Sequence, residues 1–196
     1  MRAPYQSYSQ PQGVYLSIDL DFWALHPMPD SDRRWLWAML RRAASVACFP
    51  RHDHALKHIN SPKIADEGRE IWNLDTHSDL VGFDVSGRPP ELNEGTWGDF
   101  IRWPKAERFL WIHPDVAAAK TNGRGRCEGH FPNPFRVCHP IWPVRRHCVR
   151  PRQLSDMDLP MRLVGACVIL SKPWYETKAA QKDAQRVYQQ VRREFT

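Results

Sequence analysis

Short apolar runs alternate with amphipathic segments along most of the chain. Apolar spacing typical of a helix is found at 30–44 and 175–195, and one or two helical turns are expected at 54–60. Near-continuous apolar strands separated by helices predict an α/β fold of three layers (αβα), with a mainly parallel sheet between two helical layers. Five runs have strand length and are rich in apolar, β-branched or aromatic residues: 14–20, 45–50, 70–75, 107–114 and 162–171.

The length and the prolines indicate how the chain is organised. A chain of 196 residues suits one compact domain with its own core. The region 116–160 is rich in Pro and Arg and lacks a clear apolar period, which is typical of surface loops. We therefore expect a single α/β domain over residues 1–196 in which 116–160 forms a loop region.

Charge is distributed unevenly along the chain. Residues 1–100 hold 10 Lys and Arg against 14 Asp and Glu (net −4), and residues 101–196 hold 18 against 8 (net +10), which sum to +6. The basic half suits an acidic partner, either an acidic peptide or nucleic acid, and a solvated basic face is an equal alternative. The N-terminus lacks the apolar core of a signal peptide and no run has the ~18–20 apolar residues of a membrane span. These features predict a cytoplasmic protein without membrane contact.

The cysteines are five in number and have no secretory context, so reduced thiols are expected. One segment could supply four ligands to a zinc ion, but its spacing fits no common zinc pattern and an ordinary Pro-rich loop is favoured. Its candidate ligands are Cys127, His130, Cys138 and His139.

The most specific chemical pattern is Asp75-x-His77-x-Asp79, which follows the third strand-like run. Alternate residues of an extended segment share a face, and carboxylates with a neutral imidazole suit Mn²⁺, Fe²⁺ or Zn²⁺. Asp19 and Asp21 end the first run and would meet them at the carboxyl edge of a parallel sheet, with charge enough for two divalent ions. The alternative is a set of caps, turn residues and a half-buried histidine.

Three histidines follow the second strand-like run, at His52, His54 and His58. Any of them would reach the same edge of the sheet, and residue chemistry alone does not choose among them. A run of surface histidines is an equal alternative.

These motifs resemble those of the ureohydrolases, the superfamily of arginases and agmatinases. Segment 17–21 resembles their Ser-x-Asp-x-Asp motif, 75–79 their Asp-x-His-x-Asp motif, and 53–59 the Asp-His segment that gives their first histidine ligand. Arginases carry Ser-x-Asp-x-Asp last, whereas here it comes first. That order and the run 91–115 resemble a shorter, arginase-related family that includes the peptide arginases, which convert arginine side chains of precursor peptides to ornithine. The resemblance covers roughly residues 14–115, and a weaker resemblance is found at 169–175.

The resemblance implies an arginase- and deacetylase-like fold of reduced size with two manganese ions. It also implies that hydroxide attacks the guanidinium carbon and that Asp79 passes a proton to the leaving amine, which releases urea and an ornithine side chain. Asp19 and Asp75 would bridge the ions. The full implied ligand set is Asp19, Asp21, His54, Asp75, His77 and Asp79.

Substrate contacts are less clearly marked, because the local motifs with which arginases bind the guanidinium group and relay a proton are absent. Glu94, His113 and Glu176 are candidates for contacts to the guanidinium group, with capping or packing as their alternative roles. The expected substrate is an arginine-containing, acidic precursor peptide. A different two-metal hydrolase, acting on an amide or a phosphoester, is the main alternative. A nucleic-acid binder ranks last because no segment resembles such a module, and the sequence leaves the oligomeric state open.

Overall fold

The computed structural model describes residues 13–75, 91–92, 96–112, 145–149, 154–157, 160, 162–171 and 175–196. Its strands are Val14–Asp19 (β1), Val46–Phe49 (β2), Glu70–Leu74 (β3), Arg108–Ile112 (β4), Arg145–Val149 (β5) and Leu163–Ile169 (β6). They form one sheet in the order β2-β6-β1-β3-β4-β5, and every neighbouring pair is parallel. β1 is therefore central, between β6 and β3.

The ends of two helices carry residues that stabilise them. Helix α1 has acidic residues in its first turn and arginines in its last, which suits the helix dipole, and Thr177 caps α4 by accepting a hydrogen bond from the amide of Ala180 at 3.1 Å. No helix in the described part of the chain is long and apolar enough to cross a membrane. The α-helices are Asp30–Arg42 (α1), His52–Ile59 (α2), Pro62–Glu67 (α3) and Lys178–Phe195 (α4), and short 3₁₀ turns occupy Leu20–Trp23, Trp97–Phe100 and Leu154–Asp156.

The two faces of the sheet carry separate cores. On one face, Leu16 and Ile18 of β1 pack in a cluster with Leu36 of α1 and Val187 of α4. Successive residues of a strand point to opposite faces, so Tyr15 lies on the other face. The cluster there includes residues of α2 and α3. The result is the expected three-layer αβα arrangement with a parallel sheet in the middle.

Most of the predicted elements are confirmed. All five apolar runs form strands, and the helices predicted at 30–44 and 175–195 are present as α1 and α4. The short turn expected at 54–60 is instead a helix that begins two residues earlier, at His52.

One strand lies where only loop was expected. β5 falls within 116–160 and, among the described residues, pairs with β4 on one side only, at the edge of the sheet. An edge strand needs less apolar sequence than a central one, and Arg145–Val149 reads Arg-Arg-His-Cys-Val. The apolar pattern therefore gave no sign of this strand. Residues 113–144, which make up most of the expected loop region, lie outside the described residues.

Sheet register brings the carboxyl ends of three strands side by side. Ile18 of β1 pairs with Leu74 of β3, and Asp19 pairs with Ile169 of β6. The residues that follow β3 and β6 are consequently neighbours of Asp19. Helix α2 begins at the same edge, shortly after β2 ends.

Candidate metal centre

Three buried side chains meet at the carboxyl edge of the sheet. Asp19 is the last residue of β1, Asp75 directly follows β3, and His52 is the first residue of α2. One ligand atom from each lies within 4.8 Å of the others, and their exposed fractions are only 3%, 1% and 2% for Asp19, Asp75 and His52. We call these three residues the Asp-His-Asp cluster.

The imidazole of His52 is oriented with one nitrogen toward the carboxylates. Nδ1 lies 3.3 Å from Oδ2 of Asp19 and 3.7 Å from Oδ2 of Asp75. On the opposite side of the ring, Nε2 lies 3.1 Å from the hydroxyl of Ser17. The ring also stacks on the indole of Trp97, with 4.8 Å between centroids and 12° between planes. These contacts fix both the position and the orientation of Nδ1.

Asp19 is held by neighbours on two sides. The hydroxyl of Ser171 donates to Oδ2, and the backbone amide of Asp21 donates to Oδ1 at 3.1 Å. Ser171 follows β6 and has a φ of 34°, in the left-handed region that residues other than glycine rarely adopt. The turn with this strained backbone places the hydroxyl on Asp19.

Burial raises the pKa of Asp19 well above its ordinary value, and the negative charges of Asp21 and Asp75 raise it further. The hydrogen bonds from Ser171 and from the amide of Asp21 oppose this rise but do not outweigh it. Concentrated negative charge in a dry site is costly unless a proton or a cation compensates for it. The electrostatics of the cluster therefore fit a bound cation.

The backbone around Asp75 is also well defined. The backbone amide of Asp75 donates to the carbonyl of Ile112 at 3.1 Å, and the indole of Trp111 donates to the backbone carbonyl of Asp75 at 2.9 Å. Asp75 is therefore anchored to β4 at the point where β3 ends.

Asp21, in the 3₁₀ turn after β1, is buried with 1% of its surface exposed.

Carboxylate oxygens and an imidazole nitrogen form a donor set that suits Mn²⁺, Fe²⁺ or Zn²⁺. The Asp-His-Asp cluster supplies two carboxylates and one imidazole within reach of a single point. A buried group with this geometry can hold a metal ion. Asp21, two residues after Asp19, adds a third carboxylate to the same strand end.

The histidine of the cluster differs from the sequence-based assignment. The structure brings His52 to the carboxylates, whereas His54 is exposed. A helix turns by roughly 200° over two residues, so His52 and His54 lie on nearly opposite sides of α2. His54 was assigned by its position in the segment that resembles the ureohydrolase motif, whereas in α2 it is His52 that lies on the side facing the sheet and His54 on the exposed side.

The remaining predicted site residues divide into three groups. Asp19, Asp21 and Asp75 are buried at the expected edge of the sheet. Glu176 is exposed, and its backbone amide donates to the carbonyl of Ala24 at 3.1 Å. Four predicted residues lie outside the described part of the chain: His77, Asp79, Glu94 and His113.

Sequence reasoning gave no role to two residues that contact the cluster. Ser171 follows the most apolar strand at the same edge as Asp19, so the rule that sites lie beyond strand ends could have found it. Trp97 is fully buried, and no signal in the sequence distinguishes it from a core tryptophan.

Comparisons with models of protein families, with curated proteins and with solved structures found no match for this chain. What can be inferred about its function is therefore carried by the side chains at the carboxyl edge of the sheet.

Proposed function

We propose that this protein is a binuclear metal-dependent hydrolase of the arginase type, which converts arginine side chains of a precursor peptide to ornithine and releases urea. The observation that carries the proposal is the buried Asp-His-Asp cluster, in which Asp19 and Asp75 come from two motifs that resemble those of the ureohydrolases. The structure differs from the resemblance in one ligand, His52 in place of His54.

Two manganese ions are proposed, held by the cluster together with Asp21 and with two further residues of the motif at 75–79. Asp19 and Asp75 both face Nδ1 of His52, at 3.3 and 3.7 Å, so these three side chains could hold the same ion. The other proposed ligands are Asp21, His77 and Asp79. When bound, the ions would supply a hydroxide nucleophile near neutral pH.

The chain's own residues would complete the reaction. A surplus of carboxylates at a buried edge attracts the cationic guanidinium group and disfavours its release to water. Asp79 would take the remaining proton of the nucleophile and deliver it to the leaving amine. The oxygen of water then becomes the oxygen of urea, and the C–N bond to the side chain is the bond that breaks. Glu94 and His113 stay the candidates for holding the guanidinium group.

Peptidyl arginine is proposed as the substrate rather than free arginine on grounds of charge. The half of the chain from residue 101 onward carries a net charge of +10, from 18 Lys and Arg against 8 Asp and Glu. A positive charge of this size would attract acidic residues that flank a target arginine. Glu176, which is exposed, is a candidate contact for the peptide rather than for the buried centre.

Urea release from defined substrates tests this function. Manganese-loaded protein is offered an arginine peptide with acidic flanks, the same peptide with neutral flanks, free arginine, and a phosphoester. We expect ornithine in the acidic peptide by mass spectrometry, with urea in equal amount. Asp75→Asn should abolish the reaction, whereas Asp66→Asn, a change of an exposed carboxylate paired with Lys105, should not. Hydrolysis of the phosphoester alone would favour the other class of two-metal hydrolase.

A further inference from the structure

β2 forms an open edge of the sheet, because among the described strands it lies beside β6 alone. The carbonyls of Ser45 and Phe49 accept hydrogen bonds from backbone amides on the β6 side, at 2.9 and 3.2 Å. Backbone polar groups of successive strand residues point in opposite directions within the sheet. The amides and carbonyls of Val46 and Cys48 therefore point away from β6. An edge of this kind is a template on which another extended chain can pair.

The two edges of the sheet differ in their sequences. β5, at the other edge, reads Arg-Arg-His-Cys-Val, and charged residues on an edge strand discourage unwanted pairing. β2 reads Val-Ala-Cys-Phe, with neither a charged residue nor a proline, and its four residues are half-buried. β2 therefore has the sequence of an interior strand in an edge position.

Helices hold β2 in place from both faces of the sheet. Val46 and Cys48 pack against the core that includes residues of α1 and α4, and Phe49 packs against the core on the α2 side. The strand is already extended and fixed, so it does not have to be ordered when a partner pairs with it. Such preorganisation favours binding.

Arg192 of α4 lies close to the side chains of β2. Its Cζ is 5.9 Å from the ring centroid of Tyr188, which belongs to the core against which Cys48 packs. Burial raises the pKa of the Cys48 thiol, and the positive charge of Arg192 opposes that rise. A positive charge therefore lies beside the open strand.

A second arginine lies just beyond the end of β2. Arg51 is exposed and pairs with Asp53 at 3.0 Å, so this carboxylate is already engaged. Glu194, close in sequence to Arg192, accepts from the indole of Trp37 at 2.8 Å. Acidic groups near the edge thus have partners, and the flanking arginines favour an extended chain with acidic side chains.

The open edge leads toward the Asp-His-Asp cluster. Only Pro50 and Arg51 separate β2 from His52, and all strands end at the same edge of the parallel sheet. A chain added beside β2 would lie three interstrand spacings from β1, or about 14 Å. About four extended residues span that distance. A side chain a few residues beyond the paired stretch can therefore reach the cluster.

We propose that β2 is the docking strand for the substrate peptide, on which an extended acidic segment of the precursor adds to the sheet through the backbone of Val46 and Cys48. The target arginine then lies about four residues outside that segment, where it reaches the cluster. This inference rests on the proposed function for the identity of the occupant. Main-chain hydrogen bonds supply affinity, and the arginines select acidic side chains.

Hydrogen exchange in the unaltered full chain, resolved to single residues by mass spectrometry, tests the docking. The probe is a peptide of alternating Glu and Val without arginine, so no turnover is possible. It should slow exchange at the amides of Val46 and Cys48 but change little at Ala47 and Phe49, whose amides face β6. The same peptide with N-methylated backbone amides keeps its charge but cannot pair, and it should protect neither amide.

Two pairs of variants test the contacts separately. Cys48→Pro removes one outward amide, which an edge strand tolerates, whereas Cys48→Ala keeps it. Calorimetry should show about 10-fold weaker binding of the acidic peptide to Cys48→Pro than to Cys48→Ala. Arg192→Glu should also weaken binding, and Lys105→Glu, an equal change of charge beside β4, should not. The charge variants test the proposal even if the proline variant fails to fold.

The outcomes distinguish the docking strand from the proposed function. Unchanged exchange at Val46 and Cys48 in the presence of the acidic peptide, or equal binding of the N-methylated peptide, would show that the docking is wrong and leave the metal centre untouched. A dimer that Cys48→Pro converts to monomer would assign the edge to a second copy of the chain, which also overturns it. If the acidic peptide docks as described but manganese-loaded protein releases no urea from any arginine peptide, the proposed reaction fails and the docking strand stands.

Discussion

The Nδ1 atom of His52 lies 3.3 Å from Oδ2 of Asp19, although the two residues belong to different elements and lie 33 positions apart in the sequence. The opposite nitrogen of the ring is occupied by Ser17, and the ring face is covered by Trp97. The contact therefore has a fixed geometry, and it identifies His52 as the histidine of α2 that can hold the same metal ion as Asp19.

Replacing His52 and His54 in turn distinguishes the two candidate ligands. His52→Ala should weaken Mn²⁺ binding by more than about 100-fold, beyond the ~10–100-fold typical of residues that only support a ligand. His54→Ala is the matched control on the exposed side of the same helix and should leave the affinity nearly unchanged. Calorimetric titration measures both. A larger loss in His54→Ala than in His52→Ala would restore the assignment made from the sequence.

The metal-free protein should lose stability from Asp19 as the pH rises. Burial and the charges of Asp21 and Asp75 raise the pKa of Asp19 above the ordinary value of 3.8. A group whose pKa is higher in the folded state stabilises that state at pH values below its ordinary pKa. That contribution is lost as the pH climbs through the raised value.

Urea unfolding with a chelator present, at a series of pH values, measures this loss. Other carboxyl groups titrate in the same range, so the informative quantity is the difference in the free energy of unfolding between Asp19→Asn and the unaltered protein. The variant should gain relative stability as the pH rises above 3.8. A difference that shrinks with rising pH would show that Asp19 is stabilised as a carboxylate without metal.

Two substitutions of Ser171 separate the contribution of its hydroxyl to stability from the cost of its backbone conformation. Ser171→Ala removes the hydrogen bond to Asp19 and should lower the free energy of unfolding by about 1–3 kcal/mol. Ser171→Gly also removes it but relieves the positive φ of 34°, so it should be about 1 kcal/mol more stable than the alanine variant. Urea denaturation compares them. Equal stability of the two variants would show that the backbone at this position is not strained.

Gly165→Ala tests the close approach of Tyr15 to β6. The added Cβ would lie 2.9 Å from Cδ1 of Ile64 and 3.1 Å from the tyrosine ring. Overpacking of this kind costs about 1–3 kcal/mol, so the variant should be less stable than the unaltered protein by about that amount. Thermal unfolding measures the difference. A variant with unchanged stability would show that Tyr15 and Ile64 tolerate a side chain there.

The sequence predicted the layers of the fold and the edge of the sheet where the site lies, because central strands and the helices that cover them have strong apolar periods. It could not predict β5, which is a polar edge strand, or select His52, since that choice depends on where α2 begins. Trp97 reaches His52 through tertiary packing between segments that are 45 positions apart. Contacts of this kind leave no local pattern.

Manganese content is the most direct test of the claim that the Asp-His-Asp cluster belongs to a metal centre. Elemental analysis is applied to protein purified without chelators from manganese-supplemented cells, in parallel with Asp75→Asn. We predict two manganese ions per chain in the unaltered protein and a clear loss in the variant. A metal-free protein, or a metal content that Asp75→Asn leaves unchanged, would contradict the account.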